Sequence, residues 1–381
     1  MKILITGANG FVGKNLVSTL KNIKDGKDKT HSIDLENIYT YDVDNDIDDL
    51  KKYTKDCDFV FHLAGVNRPK DTSEFYKGNA SFTETLCLLL KEHNNHCPIL
   101  ISSSIQATRD NDYGKSKKEG EECLLKHDEK MNSQVYIYRL ANLFGKWCRP
   151  NYNSVTATWC YNTANGLDIQ INDSDVELQL CYIDDVIEEF LNALEGHPTV
   201  CKEGIYSVHP IYNVKLSELA DIIKSFKESR GTLNVPNMKV DSLEKKLYST
   251  YLSYLPKDQF SYPLKMNIDQ RGSFTEFLKT DDYGQVSVNI SKPGITKGQH
   301  WHHSKNEKFL VVSGEGLIRF RDIYSDEVIE YYVSGDKLEV IDIPTGYTHN
   351  IINVGETDMI TIMWANEKFD SKHPDTYFEE V

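Results

Sequence analysis

Two sets of residues in this chain have the types and spacing to do chemistry, and they lie far apart. The first opens with Gly7, Gly10 and Gly13, with Phe11 and Val12 between the last two, directly after the apolar run 3–5. A glycine-rich turn between a strand and a helix lets backbone approach a pyrophosphate, and the helix N-terminus adds free N–H groups and a favourable dipole. Leu63, Ala64 and Gly65 close a later apolar run, where a dinucleotide would pass. Ser102, Ser103 and Ser104 close another, and Tyr113 and Lys117 follow, four residues apart and hence on one helical face. A phenol titrates near pH ~10, too high for acid–base work at neutral pH, but an ammonium one turn away favours the phenolate. With Ser104 holding a substrate oxygen, the pair can deliver a proton to a carbonyl while a nicotinamide delivers hydride to its carbon. Tyr113 and Lys117 alone would read as an exposed helix pair. The glycine turn and the serine run, at the right points of the chain, single them out.

The second set is His300, His302 and Glu307, answered by His349 and bracketed by turn glycines at 294, 314 and 346. Residues two apart on a strand face the same way, so His300 and His302 share a side and His303 faces the other. Glu307 is expected on the strand adjacent to theirs, and barrel closure would bring His349 alongside. Three imidazoles and one carboxylate suit a divalent transition ion such as Zn²⁺, with room for water or substrate.

The elements that must position these residues differ between the two halves. Residues 2–6, 58–63, 99–103 and 135–140 are short apolar strands. Residues 12, 16 and 20 recur at helical spacing, and 82–92 and 116–126 are further helices. This alternation implies an α/β fold with a Rossmann-type, doubly wound parallel sheet. The last third instead carries closely spaced strand signals, at 285–291, 308–312, 316–322, 328–333, 337–342 and 359–366, separated by Gly and Pro turns. That pattern belongs to an antiparallel all-β barrel. The expected division is 1–250 and 251–381, in the Tyr-rich stretch 247–262.

At 381 residues the chain has room for both cores. A net charge of −15 argues against nucleic acid or a membrane surface as the main partner. No apolar stretch is long enough to span a bilayer. Residues 1–2 run straight into a strand, which leaves no room for a signal peptide, and the eight cysteines contain no CxxC pair. The expectation is a cytoplasmic enzyme with reduced thiols. Asp42 ends the run 39–42, where an acid pairs with a free ribose 2′-OH and so favours NADH. The plain alternative makes it one member of a solvated acidic loop, 42–49.

These residues place the first 250 positions in a recognisable setting. The segments Arg139-Leu140-Ala141-Asn142-Leu143-Phe144-Gly145 and Tyr182-Ile183-Asp184-Asp185-Val186 complete a pattern that resembles the extended short-chain dehydrogenase/reductase family, whose members act on nucleotide sugars. The resemblance implies Ser104, Tyr113 and Lys117 as catalytic residues and Asn142 near the sugar nucleotide. His300, His302, Glu307 and His349 resemble the two cupin motifs. The segment Asp269-x-Arg271-Gly272-x-Phe274-x-Glu276 resembles the opening of keto-sugar epimerase cupins, which makes Arg271 a substrate-binding candidate. Those epimerases generally lack a metal.

The whole chain resembles bifunctional enzymes of capsular polysaccharide synthesis. That implies C3 epimerisation of a UDP-2-acetamido-2,6-dideoxy-4-ketohexose in the cupin and then C4 reduction with NADPH. The product would be UDP-2-acetamido-2,6-dideoxy-L-talose, on the way to UDP-N-acetyl-L-fucosamine. It also implies Zn²⁺ and a homodimer. Because NADPH is the coenzyme implied, the Asp42 side chain is expected to turn away from a 2′-phosphate. Two other readings compete: a single-activity reductase or 4-epimerase whose cupin only binds or dimerises, and a non-enzymatic sensor. Such sensors usually lose the Tyr/Lys pair, which is intact here.

Overall fold

The structure is a computed structural model that describes residues 1–199 and 204–381; Cys201 lies outside the described residues. The chain forms two compact units, Met1–Lys224 with Val240–Pro256, and Ser225–Lys239 with Lys257–Val381.

In the first unit the strands are β1 (Lys2–Thr6), β2 (Asn37–Tyr41), β3 (Phe59–His62), β4 (Ile99–Ser104), β5 (Val135–Leu140), β6 (Asn142–Phe144), β7 (Glu177–Tyr182), β8 (Ile205–Tyr206) and β9 (Tyr212–Lys215). Six of them make a parallel sheet in the order β2-β1-β3-β4-β5-β8. Alternation along each strand sends side chains to both faces, and both are buried. Ile3, Ile5, Phe59 and Phe61 pack with Leu16 and Leu20 of helix Phe11–Lys24 and with Phe190 of helix Ile183–Leu194. Leu4, Val60, Ile99 and Ile101 pack on the other face with Leu86 and Leu90 of helix Phe82–Glu92 and Leu124 of helix Asp112–Met131. This is the doubly wound arrangement, and it brings the ends of β1, β3, β4 and β5 to one edge.

From Asn267 onward the second unit is all-β, and the end of helix Leu216–Thr232 belongs to it as well. Its strands are β10 (Asn267–Asp269), β11 (Gly272–Thr280), β12 (Gly284–Ser291), β13 (Thr296–Trp301), β14 (Glu307–Ser313), β15 (Glu315–Asp322), β16 (Val328–Ser334), β17 (Val340–Ile343), β18 (Tyr347–Asn353), β19 (Met359–Ala365) and β20 (Tyr377–Phe378). They form two antiparallel sheets, β10-β11-β12-β19-β14-β17 and β16-β15-β18-β13-β20, consistent with a cupin-like barrel. Phe309, Val311 and Met359 of one sheet meet Ile318, Phe320 and Ile351 of the other in the core. All seven described cysteines are free, and none lies in this unit. Among the described residues no helix is long and apolar enough to cross a membrane.

Candidate functional site

Each unit holds its own site. In the first, a cavity of about 880 Å³ opens at the carboxyl edge of the parallel sheet. Gly7, Gly10, Phe11, Val12, Gly13, Leu63, Gly65, Ser104, Tyr113, Lys117 and Asn142 line it. Two of the glycines are required by contact. Gly7 has φ +70°, and a Cβ there would sit 2.6 Å from the Ala64 nitrogen; a Cβ on Gly13 would sit 2.2 Å from the Gly7 carbonyl oxygen. Ala64 therefore acts through its backbone, as the wall against which the turn closes. Helix Phe11–Lys24 has no side-chain cap at Gly10, so its first-turn N–H groups remain for a ligand.

Helix Asp112–Met131 presents the acid–base candidates. Asn111 caps it, its side chain accepting from the Gly114 N–H at 2.7 Å. Burial holds the Tyr113 phenol above its ordinary pKa, and a hydrogen bond with Ser104 draws it back. The Lys117 ammonium donates to the Ser102 carbonyl at 3.1 Å. Burial lowers its pKa to about 8, against an opposing pull from Glu121. The expected effect of Lys117 on the phenol is not seen directly, because the amine points at the strand carbonyl. Asn142 is exposed and donates to the Gln179 carbonyl at 3.0 Å. Asp42 does not line the cavity: it lies behind the glycine turn, accepting the Asn9 N–H at 2.7 Å.

The sequence reading missed Glu121. Its buried carboxylate accepts the Ser103 hydroxyl and pairs with Arg139 at 2.6 and 3.0 Å. Residues 113, 117 and 121 thus hold residues 104, 102 and 103 of β4 in turn, one helical face against one strand end. The four-residue spacing that singled out Tyr113 and Lys117 extends to Glu121 and could have found it. Asn79 was missed too. Its amide donates to Ser116 at 2.9 Å and accepts from the Val66 N–H at 2.8 Å, fixing the loop after β3.

In the second unit one atom from each of His300, His302, Glu307 and His349 lies within 4.8 Å of the others. His300 and His349 are register partners across β13 and β18. Glu307 is not on the strand adjacent to them: it opens β14, which pairs with β17 and β19 in the other sheet. Five residues are enough to carry the chain across the barrel, so the quartet draws on both sheets. A bulge at Gln299, with φ +63°, shifts the register before His300. β13 ends at Trp301, and His302 continues inward, 1 % exposed. His303 is exposed and rests against Trp301 and Tyr377.

The electrostatics of this cluster suit a cation. The Glu307 carboxylate faces His302 Nε2 at 3.5 Å and His349 Nε2 at 3.4 Å. Those three atoms are buried without a hydrogen-bond partner. An orphaned buried polar atom costs about 1–3 kcal/mol, and three facing one another form an expensive arrangement unless an ion completes it. Burial, helped by the neighbouring histidines, lowers the His300 pKa to about 4, so its lone pair is free at neutral pH. The residues therefore fit a divalent ion. Asp375, also missed from sequence, organises the loop. Its carbonyl accepts from His302 Nδ1, which leaves Nε2 for coordination. Its carboxylate accepts the N–H groups of His303, Ser304 and Lys305 at 2.9, 2.7 and 2.8 Å. Nothing in the spacing of the histidines points to a residue more than seventy positions on.

A cavity of about 580 Å³ joins this quartet to Arg271 and Lys297. Arg271 is held by Asp269 at 2.6 and 3.0 Å. Lys297 donates to the Asn289 side chain at 2.6 Å and the Ile290 carbonyl at 2.9 Å.

Known proteins share these features. Residues 3–208 match the NAD dependent epimerase/dehydratase family, and residues 267–377 match the polysaccharide biosynthesis C-terminal domain. A Pseudomonas aeruginosa UDP-2-acetamido-2,6-beta-L-arabino-hexul-4-ose reductase is 43 % identical over 377 residues, covering 99 % of this chain and 98 % of that protein. The crystal structure of the capsular polysaccharide assembling protein CapF from Staphylococcus aureus matches with a TM-score of 0.91 and 55 % identity over all of both chains. A UDP-glucuronic acid 4-epimerase from Bacillus cereus in complex with NAD, 19 % identical with a TM-score of 0.53, covers 67 % of this chain and 98 % of its own and shares the fold.

Proposed function

This chain belongs to the NAD dependent epimerase/dehydratase family, and from that premise we propose that it is a bifunctional enzyme of polysaccharide biosynthesis acting on a UDP-linked 4-keto amino sugar. The second unit epimerises C3 and the first reduces C4 with a nicotinamide coenzyme. The product is UDP-2-acetamido-2,6-dideoxy-L-talose, a precursor of UDP-N-acetyl-L-fucosamine. The observation that carries this reading is the presence of two separately built sites in one chain, a Ser/Tyr/Lys cluster at a dinucleotide-type cavity and a buried His/Glu quartet. The 43 % identical reductase and the match to CapF support the substrate class and the capsule setting.

In the first unit the bound coenzyme supplies hydride to C4. Gly7, Gly10 and Gly13 leave room for its pyrophosphate, and Leu63, Ala64 and Gly65 form the wall beside it. Ser104 holds the substrate oxygen, and Tyr113 gives its phenolic proton to that oxygen as the carbonyl becomes an alcohol. Lys117, anchored on the Ser102 carbonyl, supplies positive charge at the end of β4, and Asn142 contacts the sugar nucleotide.

In the second unit His300, His302, Glu307 and His349 would hold one Zn²⁺, which supplies Lewis-acid stabilisation of an enolate next to the C4 ketone when bound. Arg271 orients the nucleotide sugar at the mouth. The C3 proton leaves and returns on opposite faces. This chemistry needs the ketone, so epimerisation precedes reduction. The protein works in the cytoplasm as a homodimer.

Tyr113→Phe tests the division of labour. It removes the proton donor and keeps the ring. Coenzyme oxidation should fall by roughly 10²–10⁴, while solvent deuterium still enters C3 of the keto sugar at the wild-type rate. Wild-type reduction in this variant would end the role given to Tyr113.

A further inference from the structure

The proposed substrate carries an acetamido group on C2, the carbon next to the one that the second unit inverts. We infer that Gln285 and Ser287, on the wall of the second cavity, read that group and make the site selective for 2-acetamido sugars. The inference rests on the epimerase reading of the second unit and goes beyond it by assigning the residues that recognise the C2 substituent.

β12 is patterned the reverse of a strand in a packed barrel. Alternation along a strand sends every second side chain inward, and in an antiparallel sheet the inward set is normally apolar. Here the buried set is Gln285, Ser287, Asn289 and Ser291, at 8, 2, 1 and 0 % exposure. Val286, Val288 and Ile290 point the other way and are half-buried. Burying polar side chains costs free energy unless each finds a partner. The pair at the end of the strand does. Lys297 donates to the Asn289 side chain at 2.6 Å, and the Asn289 amide donates to the Ser291 hydroxyl at 3.1 Å. The pair at its start does not. The Gln285 side-chain oxygen accepts the Phe369 N–H at 3.1 Å, which leaves the two amide N–H groups. Among the described residues neither these nor the Ser287 hydroxyl has a hydrogen-bond partner, and both residues line the cavity.

The register sets these donors where C2 must lie. Gln285, Ala365 and Glu307 are partners across β12, β19 and β14, so Gln285 is level with the His/Glu quartet and separated from it by one small residue. Arg271 and Lys297 belong to the other end of β12: Gly272 pairs with Ser291, and Lys297 holds Asn289. A sugar with its 4-oxygen at the quartet and its C1 diphosphate toward these cations carries C2 along the stretch between, beside Gln285 and Ser287. The next row is Ser287, Met363 and Phe309, again partners across the same three strands. It sets a hydroxyl beside a thioether and a ring, and all three residues line the cavity. An acetamido group has the matching halves, a carbonyl oxygen that accepts a hydrogen bond and a methyl that gains from apolar surface. A C2 hydroxyl can meet Ser287 but leaves Met363 and Phe309 uncovered.

The test compares two UDP-linked 4-keto-6-deoxy sugars, one with a 2-acetamido group and one with a 2-hydroxyl, in deuterated water without coenzyme. Deuterium entry at C3, followed by NMR, gives kcat/KM for each sugar with full-length protein. The acetamido sugar should be preferred at least ~10-fold, the worth of one buried hydrogen bond with its apolar contact. Gln285→Glu keeps an oxygen for the Phe369 N–H and turns the donor into an acceptor, and Ser287→Ala removes the hydroxyl. Each should cut the preference roughly 10-fold, the loss expected when a buried carbonyl goes without its donor. General damage to the protein lowers exchange of both sugars together, so the ratio reads recognition alone. Equal exchange of the two sugars by the unmutated protein, or a preference that survives both substitutions, overturns the inference and leaves the epimerase reading standing. If the unmutated protein exchanges neither sugar, the epimerase reading itself falls, and the inference with it.

Discussion

The two sites solve the problem of buried polar groups in opposite ways. In the first unit every group proposed to act has a protein partner: Tyr113 has Ser104, Lys117 has the Ser102 carbonyl, and Glu121 has Arg139 and Ser103. These acid–base side chains are already satisfied, and the donors left over are the backbone N–H groups at the uncapped start of helix Phe11–Lys24, an arrangement suited to admit and release a coenzyme. In the second unit the polar atoms face inward and lack partners, with three of the quartet's atoms orphaned in the barrel. Such a cluster is poor in stability without an ion and strong with one. The difference teaches that the proposed coenzyme site and the proposed ion site can be told apart by which of their buried polar atoms the protein itself satisfies.

That contrast can be broken at its strongest point. His349→Ala should remove the ion from the second unit altogether, from about one per chain in the parent, as elemental analysis of the purified proteins will read. Full occupancy in the variant would remove His349 from the ligand set. Asp375→Ala should act more gently, because it loosens the loop and His302 without deleting a ligand. The carbonyl that His302 meets is kept and only the carboxylate's hold on residues 303–305 is lost, so metal affinity should fall by less than the ~10–100-fold of a deleted ligand partner, measurable by competition with a chelator. An unchanged affinity would reduce Asp375 to a loop clamp.

The first unit offers a smaller, sharper test through pH. Burial has brought Lys117 to a pKa of about 8. Its charge is present below that value and lost above it, so reduction should decline as pH rises through about 8. Glu121 pulls the same pKa upward. Glu121→Gln should therefore move the decline to lower pH, and a pH–rate profile that ignores this change would detach Lys117 from the reaction.

Much of this architecture was legible because it rests on local periodicity. The strands at 2–6 and 135–140 and the helix at 82–92 fall where the apolar spacing puts them. The clustering of His300, His302, Glu307 and His349 was legible because groups that could hold a metal ion are few in kind and strict in spacing. What escaped was long-range. Glu307 lies in the sheet facing β13, since a short loop can either make a hairpin or cross a barrel, and local sequence does not distinguish them. Asp375 reaches the loop at 302–305 from the far end of the chain by hydrogen bonds to its backbone N–H groups, which leave no pattern in side-chain types. The orientation of Asp42 escaped for a similar reason: the N–H it accepts belongs to Asn9, on a turn 33 positions away.

The central claim is that both sites act in order on one ketone. The direct measurement is NMR and mass spectrometry of the product that full-length protein and His300→Ala make from the 4-keto sugar and reduced coenzyme in deuterated water. The account predicts a C3-deuterated talo product from the unmutated protein, and from His300→Ala either no product or the unepimerised alcohol without deuterium at C3. The same deuterated talo product from His300→Ala would contradict it and leave the second unit a binding module.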